Sequence, residues 1–111
     1  KILNKYADLL VNFALNNGKG IKRGDVVFVS IGEAGKPQIL PYKQRMTLLD
    51  VMIAVGGLTE FADGNSTTLL RGSEGDKQYS VRVADLIKRG DVSANVDMKP
   101  GDVLIIPRSW F

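Results

Sequence analysis

The chain has no cysteine and no histidine. The first absence excludes disulfide frameworks, thiolate zinc sites, iron–sulfur clusters and thiol nucleophiles. The second excludes Ser-His-Asp triads, imidazole bases and imidazole metal ligands. Carboxylates, lysines and hydroxyls are what remain for chemistry. No apolar run approaches the roughly 18 residues needed to cross a bilayer, so direct membrane insertion by these residues is excluded. No signal peptide is visible, and the chain starts at Lys1 rather than at methionine, which reads as a fragment or a processed form. A basic stripe interleaved with aromatics, the mark of a nucleic-acid binder, is also missing.

The 111 residues are 44% hydrophobic and 24% charged. This composition predicts one globular domain spanning residues 1–111, with one modest core. There is enough apolar surface to offset the entropy of ordering the chain, so a disordered tail is excluded. The net charge of +3 lies wholly in residues 1–30, with five basic and two acidic side chains, while residues 31–111 carry ten of each. Basic residues stand singly or in pairs, as in Lys22-Arg23 and Lys88-Arg89, and read as solvated surface.

Apolar periodicity sets out the elements. Ile2, Leu3, Tyr6, Leu9, Leu10 and Phe13 form one stripe at helical spacing, opposite Lys1, Asn4, Lys5, Asp8 and Asn12. Asn16-Asn17-Gly18 ends this helix. Val26 to Ile31 is a β-branched run expected to be a central strand buried on both faces. Gly32 to Pro37 reads as a loop or distorted strand, with Gly35-Lys36-Pro37 as its turn. Gln38 to Tyr42 reads as a short strand, which Pro41 places at an edge. Thr47-Leu48-Leu49-Asp50 is a capping box, with Asp50 in the place usually held by Glu or Gln. Leu48, Val51, Met52 and Val55 follow at helical spacing, and Gly56-Gly57 stops the helix. That helix is expected to be apolar on most sides and well buried. Thr67–Arg71 and Gln78–Val83 read as a hairpin around Gly72–Asp76, with Tyr79, Val81 and Val83 alternating. A short helix is expected over Ala84–Arg89, with Gly90 beyond it. Asp97–Asp102 reads as a turn and Val103–Ile106 as a last buried strand closed by Pro107. Lys22 to Val29 and Lys99 to Ile106 share a Gly-Asp-Val-apolar pattern 77 residues apart, which is not a solenoid period and reads as chance or shared turn chemistry rather than a repeat.

No motif here carries catalysis. Gly56-Gly57 follows a helix, and Gly18-Lys19-Gly20 runs from helix to strand, so neither cradles phosphate. Glu33, Glu60, Asp63 and Asp91 are not spaced as a catalytic pair and read as solvated surface. Asp63-Gly64-Asn65 is too short for a calcium loop. Trp110-Phe111 reads as an aromatic end that folds back on the core or meets a partner. No catalytic, cofactor-binding or metal-binding residue is assigned, and the ligand-binding residues stay unknown at this level.

Three stretches bear a family resemblance. Gly32 to Pro37, Met46-Thr47-Leu48-Leu49-Asp50-Val51-Met52-Ile53-Ala54-Val55-Gly56-Gly57-Leu58-Thr59-Glu60-Phe61-Ala62, and Lys99-Pro100-Gly101-Asp102-Val103-Leu104-Ile105-Ile106-Pro107 resemble the SLBB (soluble-ligand-binding β-grasp) domain of Wza-type outer-membrane polysaccharide export proteins. The ending Pro107-Arg108-Ser109-Trp110-Phe111 is similar to the exosortase-associated branch. The resemblance covers residues 31–111. It implies an α+β, β-grasp-like mixed sheet wrapping one main helix at about residues 48–55, to which the N-terminal helix is an addition. It further implies a non-enzymatic module that works by self-association or polysaccharide contact, without cofactors. The resembled parents belong to the periplasm and outer membrane.

Residues 1–30 resemble something else. Lys5 to Leu15, with Gly20 to Val27, is similar to the start of a thermophilic-type metalloaminopeptidase, whose metal ligands would lie far downstream. The switch falls near Val29–Pro37. The alternative reading is therefore an engineered or recombined chimera, in which a foreign helix and strand complete an SLBB-like core and the chain folds without a native activity. The foreign helix would then cover an edge or a face of the sheet.

Overall fold

A computed structural model describes residue 12, residues 22–32 and residues 38–109. Most of the expected N-terminal helix, the loop residues 33–37 and Trp110-Phe111 lie outside these residues. Asn12, on the polar side of the stripe, is helical and exposed.

The β-branched run forms β1 (Val26–Ile31). The edge strand expected at Pro41 is β2 (Gln38–Pro41), antiparallel to β1 with Val26 opposite Pro41. The capping box opens α1 (Leu48–Val55): the Asp50 N–H donates to Thr47 Oγ1, and the Thr47 N–H donates to Asp50 Oδ2 at 2.9 Å. Gly56 closes the helix at φ +87, a left-handed conformation that an L side chain rarely adopts. Then come β3 (Thr67–Arg71), β4 (Lys77–Val81), α2 (Val83–Arg89) and β5 (Val103–Ile106).

The strand order is β2-β1-β5-β3-β4. β1 and β5 run parallel with Phe28 beside Val103, while β5–β3 and β3–β4 are antiparallel. The last strand thus inserts between the antiparallel pairs β1–β2 and β3–β4. This is the mixed α+β, β-grasp-like arrangement expected, with α1 packed on one face. Val27, Val29, Leu69, Leu104 and Ile106 from the strands meet Leu48, Val51 and Met52 of α1 and Val83 and Leu86 of α2 in one cluster.

Two expectations need correcting. The returning strand ends at Val81, and Val83 opens α2. Val81 and Val83 join the same cluster, so the alternation continues across the change from strand to helix, where period alone cannot locate the boundary. Second, α1 is not buried on most sides. Ile53 is 69% exposed and Ala54 is exposed, because the sheet lies against only one side of so short a helix.

The echo between Lys22–Val29 and Lys99–Ile106 resolves into two different turns on neighbouring strands. Asp102 is fully buried and Asp25 is exposed. Gly101 has φ +85, whereas Gly24 has no positive φ. The strands pair with Val103 beside Phe28, two positions out of the echo's register. The likeness is therefore not that of a repeated unit.

Candidate functional site

A concave cleft opens between β2 and α1. Its walls are Leu40 and Pro41 from the edge strand, Lys43, Gln44 and Met46 from the connecting loop, and Asp50, Ile53 and Ala54 from α1. Its volume of about 420 Å³ is in the range of small-ligand clefts. Helical spacing makes the wall: with Leu48, Val51 and Met52 turned to the core, Asp50, Ile53 and Ala54 are left on the outer side.

Residues 96–98 hold the loop in place. The Leu48 N–H donates to the Val96 carbonyl and the Met98 N–H to the Met46 carbonyl, both at 2.8 Å. Tyr42 Oη donates to the Met98 carbonyl at 3.3 Å. Asn95 Oδ1 accepts from the Leu49 N–H at 3.0 Å, satisfying a further free donor at the start of α1. The cleft therefore has a fixed floor.

Its chemistry suits contact. Asp50, the only carboxylate on the wall, has Oδ2 engaged by the Thr47 N–H and hydroxyl. Lys43 and Gln44 stand exposed at the rim, beside the apolar surface of Ile53. Cationic, amide and apolar groups side by side can meet a hydroxyl-rich chain or another protein surface.

A smaller concavity of about 320 Å³ is bordered by Arg23, Gly24, Gly72, Ser73, Pro100 and Gly101. Here Arg23 is already engaged: its Nη atoms pair with the Asp76 carboxylate and its Nε donates to the Gly101 carbonyl at 3.1 Å. A Cβ on Gly72 would stand 3.0 Å from the guanidinium, so Arg23 would have to shift by a few tenths of an ångström to admit one. Arg23 ties the start of β1 to the β3–β4 turn.

Asp63 and Asp91, two of the carboxylates weighed in the sequence, are each hydrogen-bonded within their own turns. Glu33 lies outside the described residues and Glu60 is exposed. Asp63 accepts from the Ser66 hydroxyl at 2.7 Å. Asp91 joins a residue that sequence reasoning missed, Asp85. Arg82 donates to Asp85 at 3.0 Å and to Asp91 at 3.1 Å. Bonds from Asn65, then Arg82, hold the Asp85 carboxyl below its ordinary pKa. Bonds from the Ser93 hydroxyl and N–H, then Arg82, do the same for Asp91. The two carboxylates in turn raise the Arg82 guanidinium. Groups held ionised in this way are ion-pair partners rather than proton donors.

Asn65 was also missed as a specific partner. Its Oδ1 accepts from the Asp85 N–H and its Nδ2 donates back to Asp85 Oδ1, which anchors the first turn of α2, where Arg82 makes no side-chain cap. A Cβ on Gly64 would lie 2.8 Å from the Ala84 nitrogen, so the Asp63-Gly64-Asn65 turn is an anchoring turn for α2. Among the described residues, no group of three or more His, Cys, Asp or Glu side chains is placed to hold a metal ion.

A family model of the SLBB domain matches residues 25–106. The chain belongs to the SLBB domain family. The match takes in β1 to β5, α1 and α2. It begins at residue 25, so β1 falls inside the SLBB domain, whereas the resemblance read in the sequence started at residue 31. No helix among the described residues is long and apolar enough to cross a membrane.

Proposed function

We propose that this SLBB domain is a non-enzymatic module of a Wza-type polysaccharide export protein, acting in self-association or glycan-chain contact in the periplasm or at the outer membrane. The family match over residues 25–106 carries this reading. The β2–α1 cleft supports it. A sugar chain offers hydroxyls and apolar C–H faces, and Lys43, Gln44 and Ile53 present the matching groups on a pinned floor. Ile53, at 69% exposed, offers an apolar side chain for contact on this wall.

Light scattering across a wide range of protein concentration, with amide chemical-shift titration by neutral and acidic bacterial oligosaccharides, tests the reading. Concentration-dependent assembly, or shifts clustered at residues 40–54, is expected. Ile53→Asp should weaken whichever contact is seen by at least about tenfold, or about 1.4 kcal/mol. Its stability should move by no more than about 0.5 kcal/mol, because the side chain makes few packing contacts. A chain that stays monomeric throughout and shows no shift at the cleft would sink the proposal.

A further inference from the structure

The sheet has a second face. Val26, Phe28 and Ser30 of β1 alternate away from the helices, beside Val103 and Ile105 of β5 and Leu70 of β3. Val26, Phe28, Leu70, Val103 and Ile105, with Ile39 packed against them, form a separate apolar cluster made of strand residues alone. The buried residues of α1 and α2 all belong to the first cluster. Yet Phe28 and Leu70 are 0% exposed and Val103 is 1% exposed. Strand neighbours pack beside one another and cannot roof a face. An apolar sheet face reaches that burial only under a second layer.

We infer that the chain's own N-terminal segment, residues 2–13, is that layer, and that it docks by its apolar stripe on the sheet face opposite the helices. The segment carries six apolar side chains at helical spacing. Asn12, on its polar side, is helical and exposed, as a residue facing away from the sheet must be. A helix over these residues is about 16 Å long, and the strands from β2 to β3 span about 14 Å, so lengths match. Residues 14–21 reach up to roughly 26 Å if extended, and they lead into β1, whose Val26 and Phe28 lie on this face. A tethered partner also acts at an effective concentration that a free second copy does not reach. The domain becomes a sheet between two helical layers. This face is distinct from the β2–α1 cleft, so the two proposals stand or fall separately.

Isotope-filtered NOE spectroscopy on the full chain tests the inference. Intrachain NOEs are expected from the Leu9 and Leu10 methyls and the Phe13 ring to Phe28, Leu70 and Val103. Leu10→Asp should abolish them and speed amide exchange in β5 at least tenfold, whereas Asn4→Asp should change neither. Absence of these NOEs in the parent chain overturns the proposal. So does their appearance only between chains in a mixture of labelled and unlabelled protein, which would assign the cover to a second copy.

Discussion

Asp102 is the only charged residue among the described ones that is fully buried, and its carboxylate accepts three hydrogen bonds. Arg71 reaches it with Nε at 3.2 Å and Nη2 at 3.0 Å, and the Lys99 N–H donates to it at 2.7 Å. Bonding to Asp102 is the first reason the Arg71 guanidinium is raised above its ordinary value. Arg71 also donates to the Asp97 carbonyl, so one side chain ties β3 to the turn that launches β5. Arg71→Ala leaves a buried carboxylate without its cation and should cost about 3–5 kcal/mol in urea unfolding. The double variant Arg71→Leu/Asp102→Leu should recover part of that loss, because it removes the stranded charge. Equal loss in the single and double variants would contradict this account. The Gly-Asp of this turn was legible in the sequence, and within the turn the Lys99 N–H donates to the Asp102 carboxylate. Arg71 was not legible as its partner, since only the sheet brings residues 71 and 102 together.

At the scale of elements, α2 is held by side chains outside itself. Asp85 and Asp91 are both held below the ordinary carboxylate range, by Asn65 and by Ser93 first and then by Arg82. A carboxylate whose folded pKa is depressed stabilises the fold above its unfolded pKa of about 3.9, and that stabilisation is lost as pH falls through the folded value. The difference in Tm between the parent and Asp91→Asn should therefore be flat from neutral pH down to about pH 5 and close below about pH 4. A difference that persists at about pH 2 would show that packing, not charge, distinguishes the variants. The helix itself was readable from Ala84 to Arg89 and Gly90. Its start was not, because Val83 continues the apolar alternation of β4 into the same cluster.

At the scale of the whole molecule, the strand order decides where stability resides. β1 and β5 are central, and β2 and β4 are edges. Residue 28 pairs with residue 103, so the innermost pairing needs both ends of the domain. Amides of β1 and β5 should therefore exchange only through global unfolding, while outward-facing amides of β4 exchange faster through local opening. Hydrogen exchange read by NMR checks this, and β5 amides exchanging faster than those of β4 would contradict it. Such long-range parallel pairing also predicts slow folding for a chain of this size.

The sequence by itself determined the local elements: the β-branched run of β1, the edge strand ending at Pro41, the capping box and glycine stop of α1, the β3 hairpin and the last strand. These follow from periodicity, capping and turn chemistry within a few residues of one another. Tertiary structure alone decided the rest. Pairing β1 with β5, bringing Arg71 to Asp102 and setting Asn65 against Asp85 all join residues whose spacing in the chain carries no signal. The exposure of Ile53 has the same cause, since a helix three apolar positions deep has sheet on only one side. Short-range steric and hydrogen-bonding rules act along the chain, whereas burial is decided by which surfaces finally meet.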